Sequence, residues 1–336
     1  MANKSSIEWT DSTWTPIRAR VKQDAAKIAA GRGYSSLIQI ATRMAGRVGP
    51  HCEHVSPGCE LCYSDTNNGR CLPHNGTGLP FDRRSRDLVD VFIDEKILLQ
   101  PLRWKQGRRV FVCSQTDLFA EFVPDELIDR VFAVMALCPQ HTFQVLTKRP
   151  ERMLKYFADM GRVGEQVAGF CWDWKLSHTE GILTPPVFPL SNVWMGVSVE
   201  NQKYADERIP LLFRTPAAIR FVSYEPAIGP VDFSRWDNTA LGEWRSELDW
   251  IIVGGESGPG ARPFDIEWAR KVVMQCTGQK TAVFVKQLGA KPLQALPGDV
   301  AAQPLFPPPL DRKGGEMSEW PPDLRVRQFP TEQYQD

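Results

Sequence analysis

Net charge is missing from this sequence: forty Lys and Arg side chains stand against forty Asp and Glu. No global field draws such a chain to DNA or lipid, so contact with a polyanion has to come from a local patch. Long apolar runs are missing too. No stretch approaches the roughly 18 residues of a membrane-spanning helix, and no membrane partner is expected. The N-terminal "MANKSSIEWTDSTW" lacks the apolar core of a signal peptide, which predicts a cytoplasmic protein. Histidine is scarce, with five in 336 residues and none in a strand-end motif, which argues against a hydrolytic triad. The phosphate-binding endings G-K-[ST] and G-x-G-x-x-G are absent.

Cysteine is present, and unevenly. Three of eight fall within "HCEHVSPGCELCYS", residues 51–64, at Cys52, Cys59 and Cys62 with spacing C-x6-C-x2-C. In a reducing compartment such clustering favours a metal or catalysis over disulfides. Thiolate sulfur suits zinc, copper(I) or iron–sulfur clusters. A structural zinc needs a fourth ligand, for which Cys71, His54 or His51 stand nearby in sequence. A [4Fe–4S] cluster held by three cysteines instead leaves one iron open to a small molecule.

Beyond residue 110, short apolar runs recur: "VFVCSQTD" (110–117), "FQVLTKR" (143–149), "VWMGVSVE" (193–200), "IRFVSYE" (219–225), "WIIVGGES" (250–257) and "AVFVKQLG" (282–289). They read as parallel strands buried on both faces, with a further strand near "IEWTDSTW". Helical patterns at 124–139, 150–161 and 266–276 alternate with them, which predicts an α/β fold of βαβ units. Polar residues end nearly every run. They are Ser114, Gln115 and Asp117, Lys148 and Arg149, Ser198, Glu200 and Asn201, Ser223 and Glu225, Glu256 and Ser257, and Lys286 and Gln287. A partial or complete (β/α) barrel gathers such ends at one mouth, whereas an open doubly wound sheet gathers only those beside its switch point. The barrel is therefore expected over 1–289. Residues 17–50 read as a basic insertion with a helix or two, carrying seven Lys or Arg against one acid, and its removal is expected to spare the core. Residues 162–192 read as a long irregular link. A proline-rich tail over 290–336 is expected to wrap the surface, with "LRVRQF" as a final short strand.

The ordered motifs "IEWTDSTWTP", "CEHVSPGCELCY", "VFVCSQTDLF", "LTKRPER", "VWMGVSVEN", "RFVSYEPAIGPVD", "WIIVGGESGPGARP" and "VFVKQLG" resemble a three-cysteine-motif family of phage and bacterial proteins of undetermined function. That family is similar, more distantly, to radical S-adenosylmethionine enzymes, whose loop is C-x3-C-x2-C. The resemblance implies that Cys52, Cys59 and Cys62 hold a [4Fe–4S] cluster, with S-adenosylmethionine on the open iron and a 5′-deoxyadenosyl radical as the product that attacks substrate. It implies a Gly-Gly-Glu contact to the cofactor at Gly254, Gly255 and Glu256, although here the motif follows a late strand and Glu256 is open to a substrate role. Gln115, Asp117, Ser198, Glu200, Ser223 and Glu225 are further cofactor-binding candidates; Lys148, Arg149 and Lys286 are candidates for substrate. A nucleotide or nucleic-acid base is the substrate class suggested by the family's company. The alternative is a zinc-binding barrel that binds nucleic acid or a co-encoded partner protein without redox chemistry.

Overall fold

The computed structural model describes residues 5, 7–70, 76–178, 185–236, 248–277, 281–294, 302–305 and 307–330. The chain divides into two compact units, Met1–Val193 and Trp194–Asp336.

The first unit runs β1 (Ser12–Trp14), β2 (Ile17–Val21), α1 (Ala25–Gly31), α2 (Ser35–Met44), β3 (Val48–Gly49), α3 (Tyr63–Gly69), α4 (Arg83–Arg86), β4 (Val89–Ile93), α5 (Glu95–Leu98), β5 (Arg109–Val112), α6 (Asp125–Ala136), β6 (Thr142–Thr147), α7 (Pro150–Tyr156) and α8 (Met160–His178). Strand β5 lies parallel to both β1 and β6, with Trp14 opposite Val112. Helix α6 starts with Asp125 and Glu126 in its first turn, where carboxylates favour the helix dipole. Proline at the first position of α7 loses no helical hydrogen bond.

Two parts of this unit differ from the expectation. The supposed irregular link is largely helix α8. Its three glycines weaken the helical signal, yet a Cβ at Gly164 or Gly169 would meet nothing within 4 Å, so they occupy open positions. The stripe Val163, Val167 and Cys171 is buried at four-residue spacing, and that burial decides the conformation. The basic insertion is also more than helices. Strand β2 pairs antiparallel with β3 and β4, and Ala19, Val21, Ala25, Ala29, Leu37, Ala41 and Met44 share one core with Leu79, Leu88 and Val89. Because three of those residues lie outside the insertion, cutting it out uncovers part of the remaining unit.

The second unit is opened by β7 (Val193–Val199) and continues with α9 (Gln202–Arg214), β8 (Ile219–Tyr224), β9 (Trp250–Gly254), β10 (Phe264–Asp265), α10 (Ile266–Cys276), β11 (Ala282–Gln287), β12 (Pro292–Gln294) and β13 (Gln303–Pro304). Every residue of β7 and β9 is buried, as continuous apolar runs require. Pairs β7–β8, β8–β9 and β9–β11 are parallel. Asn201 and Asp265 cap α9 and α10 with their side chains. "LRVRQF" forms a short antiparallel bridge to β11, with Val285 N–H donating to the Val326 carbonyl and Gln328 N–H to that of Val283, both at 2.8 Å.

Strand order across the main sheet is β1-β5-β6-β7-β8-β9-β11. Seven parallel strands with interleaved helices make this a partial (β/α) barrel. Among the described residues no helix is long and apolar enough to cross a membrane.

Candidate functional site

In the first unit the cysteine loop is tied to the ends of β5 and β6. Cys113, just after β5, adopts a left-handed conformation (φ 54°), which costs a non-glycine residue about 1–3 kcal/mol. The turn that follows presents two carbonyls and a hydroxyl to the loop. Tyr63 donates to the Ser114 carbonyl at 2.5 Å, Ser64 to the Gln115 carbonyl at 3.0 Å, and the Thr116 hydroxyl to the His51 carbonyl. From the end of β6, Arg149 donates to the Glu53 carbonyl at 3.1 Å. Residues on both sides of the three cysteines are thus anchored.

Cys52, Cys59 and Cys62 are half-buried free thiols. Cys59 ends a 3-10 turn over Pro57–Cys59, and Cys62 is the extended residue that begins α3. Burial pushes the Cys52 thiol up to about 12; the Arg149 charge opposes this, while Asp117, Cys62 and Cys59 add to it. Burial also pushes Cys62 up, against the N–H groups of Asp65 and Ser64 and the Lys148 charge, with Cys59 pushing it further.

The chemistry of these donors fits an iron–sulfur cluster or a zinc ion: soft thiols from one loop, with none spent in a disulfide. Their arrangement is not a finished coordination sphere. Among the described residues no group of three or more His, Cys, Asp or Glu side chains is disposed to hold a metal ion. His54 pairs with Asp65 at 3.1 Å. His51 is buried, with its ring against Phe122 and Phe81 and neither ring nitrogen hydrogen-bonded, and burial lowers its pKa to about 4. Cys71 lies outside the described residues.

The polar residues after β5 and β6 organise one another. Asp117 is buried and accepts from the Thr147 hydroxyl at 2.7 Å, the Phe119 and Lys148 N–H groups at 3.0 Å, and Arg149 at 3.1 Å. Arg149 also pairs with Glu121 at 2.9 Å. Lys148 and Gln115 are half-buried. Cys52, Cys59, Cys62, Gln115, Asp117, Lys148 and Arg149 thus form one neighbourhood.

In the second unit the strand-end carboxylates are engaged by cations. Glu200, fully buried, pairs with Arg208 at 3.1 Å, and Arg208 also donates to the Ser198 carbonyl at 2.7 Å. The Ser198 hydroxyl donates to the Glu225 carbonyl at 3.3 Å, and the Glu225 carboxylate pairs with Lys286. Ser223 is buried in β8. Glu256 is held by Arg262, six residues further along the same loop. Gly255 allows a close crossing, since a Cβ there would lie 2.5 Å from the Leu288 carbonyl oxygen. Glu225, Lys286, Ser198 and Glu200 therefore share a network, while Glu256 belongs to its own loop.

Reading strand ends missed the partners Glu121, Arg208 and Arg262 and the anchors Tyr63, Ser64 and Thr116. Only Tyr63 and Ser64 carried a signal, by following the last cysteine directly.

No curated protein and no solved structure matches the chain. A family model described as "Protein of unknown function (DUF5131)" matches residues 44–313, which take in the cysteine loop and every candidate site residue, and the chain belongs to that family.

Proposed function

We propose that this chain is an iron–sulfur protein of the radical S-adenosylmethionine type. The observation that carries the reading is the loop bearing Cys52, Cys59 and Cys62, with three free thiols in a loop hydrogen-bonded to the ends of two parallel strands. Those three residues would hold the cluster, and three ligands leave one iron position for a small molecule. When bound, a cluster of this kind supplies the electron that cleaves S-adenosylmethionine to methionine and a 5′-deoxyadenosyl radical, which takes hydrogen from substrate.

The chain's own groups bind and orient. Lys148 and Arg149 bring positive charge to Cys62 and Cys52, which would offset the charge of the sulfurs once ligated. Leu61 and Tyr63 are exposed beside the cysteines, leaving the loop open to a diffusing ligand.

A second reading is favoured by His51. A buried imidazole with two unpartnered nitrogens, next in sequence to Cys52, would be the fourth donor to a zinc ion in a protein that binds nucleic acid or another protein. Anaerobic purification followed by an iron-to-zinc ratio and an ultraviolet–visible spectrum separates the two. Iron with broad visible absorption is expected. Stoichiometric zinc with a featureless visible spectrum would rule out the radical reading.

A further inference from the structure

Arg149 was expected to face substrate, but its guanidinium is spent inside the protein. The residue is 4% exposed, and its three nitrogens reach two segments, the connection between β5 and α6 and the cysteine loop. Nε donates to Glu121 at 2.9 Å, Nη1 to Asp117 at 3.1 Å and Nη2 to the Glu53 carbonyl at 3.1 Å. Asp117 is itself fixed by Thr147, Phe119 and Lys148, so the fork is aimed before it meets the loop. Its target is the carbonyl of the residue after Cys52. A planar fork suits this task, because one group has to satisfy three acceptors in fixed directions; the point charge of a lysine cannot. A buried cation bonded to the residue after Cys52 would also offset part of the negative charge that ligation concentrates in the loop.

We infer that Arg149 is a positioning residue of the cysteine loop: its fork sets Cys52 over the ends of β5 and β6, and its charge balances the ligated sulfurs. The second half of this inference rests on the iron–sulfur reading; the first half does not.

The two halves separate with Arg149→Lys, which keeps charge and loses the fork, and Arg149→Gln, which loses both. In metal-free protein, hydrogen exchange reads the loop through its bonded amides, among them His54 to Phe81, Cys59 to Ser56 and Cys62 to Cys59. Exchange across residues 51–62 is expected to quicken about tenfold in both variants, the factor that loss of one charge-assisted bond commands. Peptides from β8 and β9 should keep wild-type rates, whereas a general loss of structure would quicken them too. After reconstitution with iron and sulfide, the midpoint potential should become more negative in Arg149→Gln and stay near wild type in Arg149→Lys. If Arg149→Gln does not fold, Arg149→Lys alone carries the exchange test. Wild-type exchange over 51–62 in a folded variant overturns the positioning role, and equal potentials in all three proteins overturn the charge role. Quickened exchange in a protein whose wild type takes up no iron upholds the anchor and removes the cluster.

Discussion

Arg262 grips Glu256 from two directions: its Nε and its backbone N–H each donate to one carboxylate oxygen at 2.9 Å, while Nη2 donates to the other at 2.5 Å. The carboxylate is nearly buried and the guanidinium a quarter exposed. Glu256→Gln preserves shape but turns an amide donor toward a cation. It is expected to cost about 1–3 kcal/mol, lowering the melting temperature by a few degrees in thermal denaturation. An unchanged melting temperature would mean that the loop does not depend on this pair, leaving Glu256 free for a ligand.

Cysteine replacements should divide sharply. Alanine at Cys52, Cys59 or Cys62 is expected to abolish iron uptake on reconstitution, while Cys138→Ala and Cys276→Ala keep it. The latter two are buried hydrophobes, just past the end of α6 and at the end of α10, outside the loop that carries the other three. Iron analysis and visible absorption decide the matter; full iron in Cys59→Ala would refute the assignment.

The contrast between sheet and site shows what a sequence makes legible. Runs such as "VWMGVSV" announce themselves because a strand buried on both faces tolerates almost only apolar residues. The polar residues ending these runs were legible for the same reason. Helix α8 was not, because three glycines interrupt it and, among its described side chains, only Val163, Val167 and Cys171 are buried. Ion pairing was least legible. Arg149 finds Asp117 across 32 residues through the pairing of β5 with β6, and no local pattern records that meeting. A strand-end cation therefore reads as substrate-binding until the fold supplies its partner.

The tail offers a pH test. Asp323 accepts from Arg270 at 2.6 Å, and that bond holds its carboxyl below the ordinary aspartate value of 3.8. A depressed carboxyl contributes stability that is present above pH 3.8 and lost as pH falls through the lower folded value. The pair is half exposed, so Asp323→Asn should cost only about 0.2–1 kcal/mol near neutrality. The gap between wild type and variant in urea unfolding should then close as the pH drops below 3.8. A gap that persists undiminished in acid would trace the effect to packing, not charge.

The two glycines of "GGES" predict opposite outcomes, and the difference tests whether sterics or ligand contact places them. At Gly254 a Cβ would meet its nearest atoms at 3.4–3.5 Å, an ordinary contact. At Gly255 it would stand 2.5 Å from the Leu288 carbonyl oxygen and 2.9 Å from the Phe264 Cβ, and backbone cannot give way as a flexible side chain can. The crossing is closed by Gly255 N–H to the Gln287 carbonyl at 3.0 Å and Ala290 N–H to the Glu256 carbonyl at 2.9 Å. Gly289, at φ 78°, is equally constrained from the facing side, where a Cβ would lie 2.7 Å from the Glu256 carbonyl oxygen. Gly255→Ala must therefore part the ends of β9 and β11, at about 1–3 kcal/mol for the overpacking, with more if either bond is lost. Gly254→Ala should stay within about 0.5 kcal/mol of wild type. Equilibrium unfolding in urea measures both. Equal costs at the two positions would show that the close crossing does not explain the pair of glycines.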